Sequence, residues 1–235
     1  MLYFLVQMEQ ISYITTWDLD QVLQEEVKRH GLKNDAQVLN IACEHDRMPT
    51  PLKNLVNDEN VFGVDLGPDN SDPKILRCDV DRESLPFVDD RFDLVVSIWG
   101  LEHFASDKIF REAARVLKPG GAFIFVTPNV AHPVFLANRI FGNNFAKWYY
   151  KAAMKSPYDP HPVKYRLNRI STLQKTARKV GLQNISLTMA GPGHLKYYVS
   201  QKRIGRFLLR IADALVSTPL TYRAKPYIVG RLSAT

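Results

Sequence analysis

Residues 91–129, RFDLVVSIWGLEHFASDKIFREAARVLKPGGAFIFVTPN, constrain the fold of this chain more than any other segment. Phe92–Ile98 is apolar on both faces, which is typical of a strand inside a parallel sheet. Apolar residues then recur at helical spacing over Ile109–Leu117, after a candidate N-cap at Ser106. The KPGG sequence should stop this helix and turn the chain into a second buried strand, Ala122–Thr127. The segment predicts half of an α/β domain.

The remaining apolar runs extend this half to a doubly wound, mostly parallel α/β sheet. We predict helices over 16–30, 49–56 and 168–180, and further strands over 36–42, 60–65, 74–78, 184–189 and 227–232. Only eight residues, Leu66–Pro73, separate two consecutive strands of this series. A parallel crossover normally needs a dozen or more residues. We therefore expect a shortened crossover without a helix, which leaves one face of the sheet thinner.

Charge is divided unevenly along the chain. Residues 1–138 hold 13 Lys and Arg against 22 Asp and Glu, whereas residues 139–235 hold 18 against 2. The basic half could attract an anionic substrate, an anionic membrane surface or nucleic acid, or it could be a solvated surface beside the acidic half. Nucleic acid is disfavoured because no recognisable reading motif accompanies the charge.

Compartment and cysteine chemistry are also constrained by the sequence. No apolar run is long enough to span a bilayer, and the opening LYFLV lacks the flanks of a signal peptide. We expect a cytoplasmic protein.

The two cysteines, Cys43 and Cys78, fall at predicted strand ends in the core, so we expect free thiols rather than a disulfide framework or a metal site.

Three motifs, FDLVVS, LEH and ARVLKPGG followed by a strand and TPN, resemble the later motifs of class I S-adenosylmethionine-dependent methyltransferases of the type 11 kind. The resemblance implies a transferase with a Rossmann-like fold and S-adenosyl-L-methionine as cofactor. It divides the chain into a cofactor-binding half over 1–130, an inserted aromatic and basic cap on the substrate side over 131–166, and a C-terminal part of the same domain over 167–235.

The resemblance assigns cofactor contacts at the strand ends. Asp65 closes one strand and would accept hydrogen bonds from both ribose hydroxyls, with Leu66 beside it. Asp79 follows the next strand and would accept from the adenine amino group, while the amide of Val80 donates to the ring. Ile98, at the end of the strand that precedes LEH, completes this set.

The first motif departs from the family because it contains no glycine. Family members place an acidic residue and a glycine-rich turn here, whereas this chain has NIACEHD, with Asn40 at the acidic position. Ala42 adds one methyl group, and any positive φ in this turn would be strained. Glu44 could repel the cofactor carboxylate, or it could face the cofactor ammonium in place of Asn40.

Two residues near LEH are candidates for chemistry. Methyl transfer needs a positioned acceptor and, for a hydroxyl, a base. His103 could be that base because its ordinary pKa lies near neutrality, or it could cap a helix or bond a backbone carbonyl. Trp99 could wall the methyl-transfer pocket or belong to the core.

Substrate contacts are predicted further along the chain. The segment HPVKYR resembles the start of the late helix in small-molecule and glycan methyltransferases, which suggests His161, Tyr165 and Arg166 as acceptor contacts. His194 and the pair Tyr197–Tyr198 are weaker candidates for contacts with the acceptor. A basic amphipathic pattern over 200–215 could rest on an anionic membrane or pack on its own domain.

The sequence thus favours a methyltransferase acting, by oxygen methylation, on a small-molecule or glycan-type acceptor that could be anionic or lipid-linked. The alternative is a non-catalytic or repurposed protein on the same fold, because the first motif lacks glycine. A nicotinamide enzyme is a distant third reading, since no G-x-G-x-x-G precedes Asp65.

Overall fold

A computed structural model describes residues 10–16, 18–67, 72–142, 144, 147, 161–192, 211, 214 and 221–234. They form an eight-stranded mixed sheet flanked by helices, which confirms the predicted fold class. The strands are β1 (Gln10–Thr16), β2 (Val38–Ile41), β3 (Val61–Asp65), β4 (Ile75–Arg77), β5 (Phe92–Ile98), β6 (Leu117–Pro128), β7 (Gln183–Pro192) and β8 (Tyr227–Ser233). The helices are α1 (Leu19–His30), α2 (Lys108–Val116), α3 (Pro133–Phe141) and α4 (Ile170–Lys179).

The strand order is β1-β7-β8-β6-β5-β2-β3-β4. β8 is antiparallel to β6 and β7, and all the other neighbouring pairs are parallel. The order reverses at β2, which lies between β3 and β5. Because β2, β3, β4 and β5 are parallel, their carboxyl ends meet at one border of the sheet, called here the carboxyl edge. Ligands of open α/β sheets bind at such a reversal.

Two hydrophobic layers hold the helices on the sheet. On one face, Ile109 and Phe110 of α2 and Leu173 of α4 are buried with Phe123 and Phe125 of β6. Burying a side chain of this size contributes roughly 1.5–3 kcal/mol. The spacing of these apolar residues explains why α2 and α4 could be predicted.

On the other face, α1 buries Leu19, Leu23 and Val27. Asp18 caps this helix by accepting a hydrogen bond from the amide of Gln21 at 3.0 Å, and Gly31 ends it with a φ of 75°. α1 therefore has a regular beginning and end.

A buried arginine covers β3 where a crossover helix would otherwise pack. The described residues between β3 and β4, 66–67 and 72–74, contain no helix. A Cβ built on Gly63 of β3 would lie 3.1 Å from Arg47 Cβ, so Arg47 lies directly over the strand. Its guanidinium pairs with Asp58 and Asp72 at 2.6 Å each and donates to the Val61 carbonyl at 3.0 Å. Arg47 joins three loops on this thin face.

Three local predictions were wrong. The N-cap of α2 is Asp107, although Ser106 Oγ still accepts a hydrogen bond from the Lys108 amide at 3.3 Å. The KPGG sequence, Lys118–Gly121, lies within β6 and makes a register shift between Phe92 and Leu94 of β5. The helix expected over 49–56 is a single 3-10 turn at Thr50–Leu52.

The N-terminal strand β1 was not predicted. It pairs in parallel with β7, from Gln10 opposite Ser186 to Thr16 opposite Pro192. Tyr13 and Ile14 are 46% and 39% exposed, as expected at the border of a sheet. The chain therefore adds an eighth strand beyond β7.

Candidate cofactor and substrate site

The turn after β2 enters the left-handed region twice without glycine. Ala42 has a φ of 60° and Glu44 a φ of 54°. The left-handed conformation costs a non-glycine residue about 1–2 kcal/mol. Gly100 explains why the turn fits, because a Cβ built there would lie 2.8 Å from Ala42 Cβ and 2.5 Å from Ser97 Oγ. Gly100, after β5, thus leaves the space that the methyl group of Ala42 occupies.

Hydrogen bonds to β3 fix this strained turn. The Ala42 amide donates to the Val64 carbonyl at 2.9 Å, and the Glu44 amide donates to Asp65 Oδ2 at 2.8 Å. Asp65 Oδ1 accepts from the Gly67 amide at 2.9 Å. Asp65 therefore joins the turn after β2 to the loop that follows its own strand.

The carboxylates of the carboxyl edge retain the capacity to bind a nucleoside. Each carboxylate has about four lone-pair sites, and Asp65 uses two of them for backbone amides. One site on each oxygen is left for a ribose hydroxyl. Asp79 accepts from the Asp81 amide at 3.2 Å, and its Oδ2 lies 3.5 Å from Arg82 Nε. These donors and acceptors fit the adenosine part of S-adenosylmethionine.

The other predicted cofactor residues lie around this pair. Leu66 is 59% exposed beside Asp65, whereas Val80 is buried after β4. Ile98 ends β5 and packs on the α1 face of the core. Asn40 is buried in β2, donates from Nδ2 to the Asp46 carbonyl at 3.3 Å, and has no partner for Oδ1 among the described residues.

Glu44 points out of the turn. Its side chain is 70% exposed, and its Oε1 lies 3.6 Å from His161 Nε2. The carboxylate therefore does not fill the space above β2 and β3.

His103 is held in one tautomer by a backbone carbonyl. Its Nδ1 lies 2.7 Å from the Pro162 carbonyl oxygen, so Nδ1 carries the proton and Nε2 keeps a lone pair. Burial lowers the pKa of His103, with the Pro162 carbonyl acting in the opposite direction. The ring is thus neutral near pH 7 and able to accept a proton. Bonding a carbonyl and acting as a base are compatible in this geometry.

Trp99 follows β5 in a strained conformation with a φ of 59°. Its amide donates to the Val126 carbonyl at 3.1 Å, and its ring packs edge-to-face on Tyr227 at 5.2 Å. Tyr227 contacts Phe135 of α3 at 5.7 Å. An aromatic path thus runs from the carboxyl edge to α3.

Residues 161–165 form a strap across the carboxyl edge. The amides of Lys164 and Tyr165 both donate to the Glu102 carbonyl, at 2.7 and 3.1 Å. His161 is exposed, with its ring 6.1 Å from that of His103. The strap brings one predicted substrate residue, His161, close to the predicted base.

The other two predicted substrate residues differ in exposure. Tyr165 is buried with a φ of 49°, and its hydroxyl accepts a hydrogen bond from Asn138 Nδ2 at 3.0 Å. It packs against Phe135 at 6.4 Å. Arg166 is exposed. Predictions for His194, Tyr197–Tyr198, the aromatic residues 148–158 and most of the basic pattern over 200–215 lie outside the described residues.

Sequence reasoning missed Asp81. Its carboxylate accepts from the amides of Ala105 and Ser106 at 2.8 and 3.1 Å and pairs with Lys164 at 3.2 Å. Despite partial burial, these donors hold its pKa below the usual range. Asp81 therefore ties the loops after β4 and β5 to the strap. Its position two residues after Asp79 was the available signal.

Sequence reasoning also missed Glu102, although it lies inside LEH. Its side chain is buried and accepts from the Thr127 hydroxyl at 3.2 Å, and Thr127 in turn accepts from Asn168. Burial raises the pKa of Glu102 to about 7. A buried acid thus lies directly beneath the strap.

The eight-stranded sheet with its flanking helices is the Rossmann-like fold of class I methyltransferases. Residues 39–125 match the model of a family described as a methyltransferase domain. This segment contains the strained turn, Asp65, Asp79 and the LEH sequence.

Curated relatives and a solved structure are similar to the chain. An uncharacterized protein of Methanocaldococcus jannaschii is 28% identical over 57% of this chain and 53% of its own length. The 2-methyl-6-phytyl-1,4-hydroquinone methyltransferase 1 of Oryza sativa subsp. japonica is 28% identical over 58% and 45%. The chain thus spans about half the length of these relatives. A SAM-dependent methyltransferase from Archaeoglobus fulgidus superposes with a TM-score of 0.55 at 14% identity, over 91% of this chain and 94% of that one.

Proposed function

We propose that the protein is an S-adenosylmethionine-dependent methyltransferase acting on a small-molecule acceptor. The observation that carries this proposal is the pair Asp65 and Asp79, which lie at the ends of neighbouring parallel strands with lone pairs available to a nucleoside. Bound S-adenosylmethionine would supply a methyl group on a positively charged sulfur.

The residues of this chain would bind the cofactor, orient the acceptor and remove a proton from it. Asp65 would hold the ribose and Asp79 with the Val80 amide the adenine. His103 Nε2 would take the proton of an acceptor hydroxyl, so that its oxygen could receive the methyl group that the bound cofactor would supply. Trp99 would wall this side and exclude water, and His161 of the strap would contact the acceptor.

The acceptor is proposed to be of the glycan or aromatic-alcohol type, methylated at oxygen. The aromatic path from Trp99 through Tyr227 to Phe135 favours an acceptor with an apolar portion, including a lipid-linked one. The similarity to a hydroquinone methyltransferase of Oryza sativa is consistent with an aromatic-alcohol acceptor. Tyr165 and Arg166 would also contact the acceptor, and Arg166 would attract an anionic group on it.

We further propose a cytoplasmic location with peripheral membrane contact. Among the described residues, no helix combines the length and apolarity needed to cross a bilayer.

The second candidate function, a repurposed protein without cofactor, is motivated by the left-handed Ala42 and Glu44 in a turn where family members use glycine.

Titration calorimetry with S-adenosylmethionine tests the proposal. We expect the natural protein to bind and D65A to bind at least about tenfold more weakly, because a charged hydrogen-bond acceptor contributes about 1.5–3 kcal/mol. D35A, an exposed carboxylate at the opposite edge, is the matched control and should bind normally. Absence of binding to the natural protein at millimolar ligand would favour the second candidate.

A further inference from the structure

The outer face of α3 is apolar. At about 100° per residue, Leu136, Ile140, Pro133, Ala137, Phe141 and Val134 share one continuous arc of about 160°. Ile140 and Phe141 are each 67% exposed, Val134 is 43% exposed and Leu136 is 37% exposed. The inner face is fixed instead by buried Phe135 and by the bond from Asn138 to Tyr165. Contiguous exposed apolar faces of this kind mark interaction sites.

Exposed arginines lie on α3 and on the segments bonded to its start. Val130 donates to the Asn168 carbonyl and Asn129 Nδ2 donates to the Arg223 carbonyl. Arg139 lies on α3 itself, Arg166 and Arg169 lie within two residues of Asn168, and all three are exposed, as is Arg223. Over 131–169 the sequence has seven Lys and Arg against one Asp.

We propose that α3 docks the protein on an anionic lipid surface. The apolar arc enters the boundary between headgroups and acyl chains, while the arginines face lipid phosphates. The excess of basic over acidic residues in residues 131–169 complements such a surface, because anionic headgroups surround an inserted helix on all sides. The aromatic path behind α3 connects this contact to Trp99. Delivery of an acceptor from the lipid along that path rests on the proposed methyltransferase activity, whereas docking itself does not depend on that activity.

Co-sedimentation of the full chain with vesicles, without cofactor, tests the docking. We expect binding to equimolar phosphatidylcholine and phosphatidylglycerol vesicles that weakens with salt and is lost on phosphatidylcholine alone. I140S should reduce partitioning about tenfold through lost apolar burial. R139Q should reduce it about fivefold.

V88S is the matched control, because Val88 is 71% exposed and precedes β5 at the opposite edge of the sheet. It should partition like the natural protein. Equal partitioning of I140S and the natural protein, or equal losses in I140S and V88S, would overturn the proposal. So would a dimer in sedimentation velocity that I140S dissolves, since the occupant of the face would then be a second copy. Calorimetry with S-adenosylmethionine on I140S should be unchanged, which separates this result from the proposed function.

Discussion

The backbone amide of Glu44 donates a hydrogen bond to the Asp65 carboxylate at 2.8 Å, across two neighbouring parallel strands. The same carboxylate is proposed to hold the cofactor ribose. Loss of Asp65 would therefore weaken the left-handed turn as well as the ribose contact, and the two effects need separate measurements.

Restoring glycine to the turn should relieve strain. In E44G the φ of 54° becomes unstrained, and this gain of about 1–2 kcal/mol outweighs the added chain entropy of glycine, about 0.4–1 kcal/mol. We expect urea unfolding to show a free energy of unfolding equal to or above that of the natural protein. E83G, at an exposed turn residue without positive φ, should lower it by about 0.5–1 kcal/mol. If the free energy of unfolding fell as much in E44G as in E83G, the left-handed conformation of Glu44 would not be strained.

Glu102 should make stability fall as pH rises. Its pKa is raised from 4.5 to about 7 in the folded state, so the stabilisation is fully present below pH 4.5 and is lost as pH rises through about 7. By linkage the change is roughly 3 kcal/mol. Unfolding by urea between pH 5 and 8 measures it, and E102Q should remove this dependence while its amide oxygen still accepts from Thr127. A profile with the same slope in both proteins would disprove the assignment.

His103 should act as a base without being protonated near neutrality. Because burial lowers its pKa, the rate of methyl transfer should lose this contribution only below pH 6.5 and should be flat above it. H103A should lower kcat by about 10²–10⁴-fold. Its affinity for S-adenosylmethionine, measured by calorimetry, should stay the same. Full turnover in H103A would exclude the base role.

Arg47 should contribute more to stability than a surface arginine. R47A removes a buried stem and leaves the Val61 carbonyl without its guanidinium donor, while Asp58 and Asp72 are 69% and 31% exposed, so we expect a loss of about 1–3 kcal/mol. R111A breaks an ion pair with Asp107 in which the arginine is 58% exposed, and it should cost under about 1 kcal/mol. Chemical denaturation measures the free energy of unfolding of both variants. Similar losses would contradict a special structural role for Arg47 over β3.

The sequence predicted the parts of the fold that rest on local pattern. β5 and the apolar spacing of α2 were recognisable because buried strands and amphipathic helices have short periods. β1 was missed because QISYITT is a half-exposed border strand whose partner lies 176 residues away at the contact of Ser12 with Thr188. Polar partners are equally non-local: Asp81 binds donors in a later loop, so its role cannot be read from its neighbours.

The pairing of β1 with β7 sets an order for assembly. Among the residues that the structure describes, β1 has hydrogen-bonding neighbours in β7 alone, and β7 reaches the rest of the sheet through β8. Since Ser12 and Thr188 lie 176 residues apart, the pairing of β1 with β7 closes a long loop and should form late in folding. A border strand held through one described partner should also be among the first elements to detach when the protein opens locally.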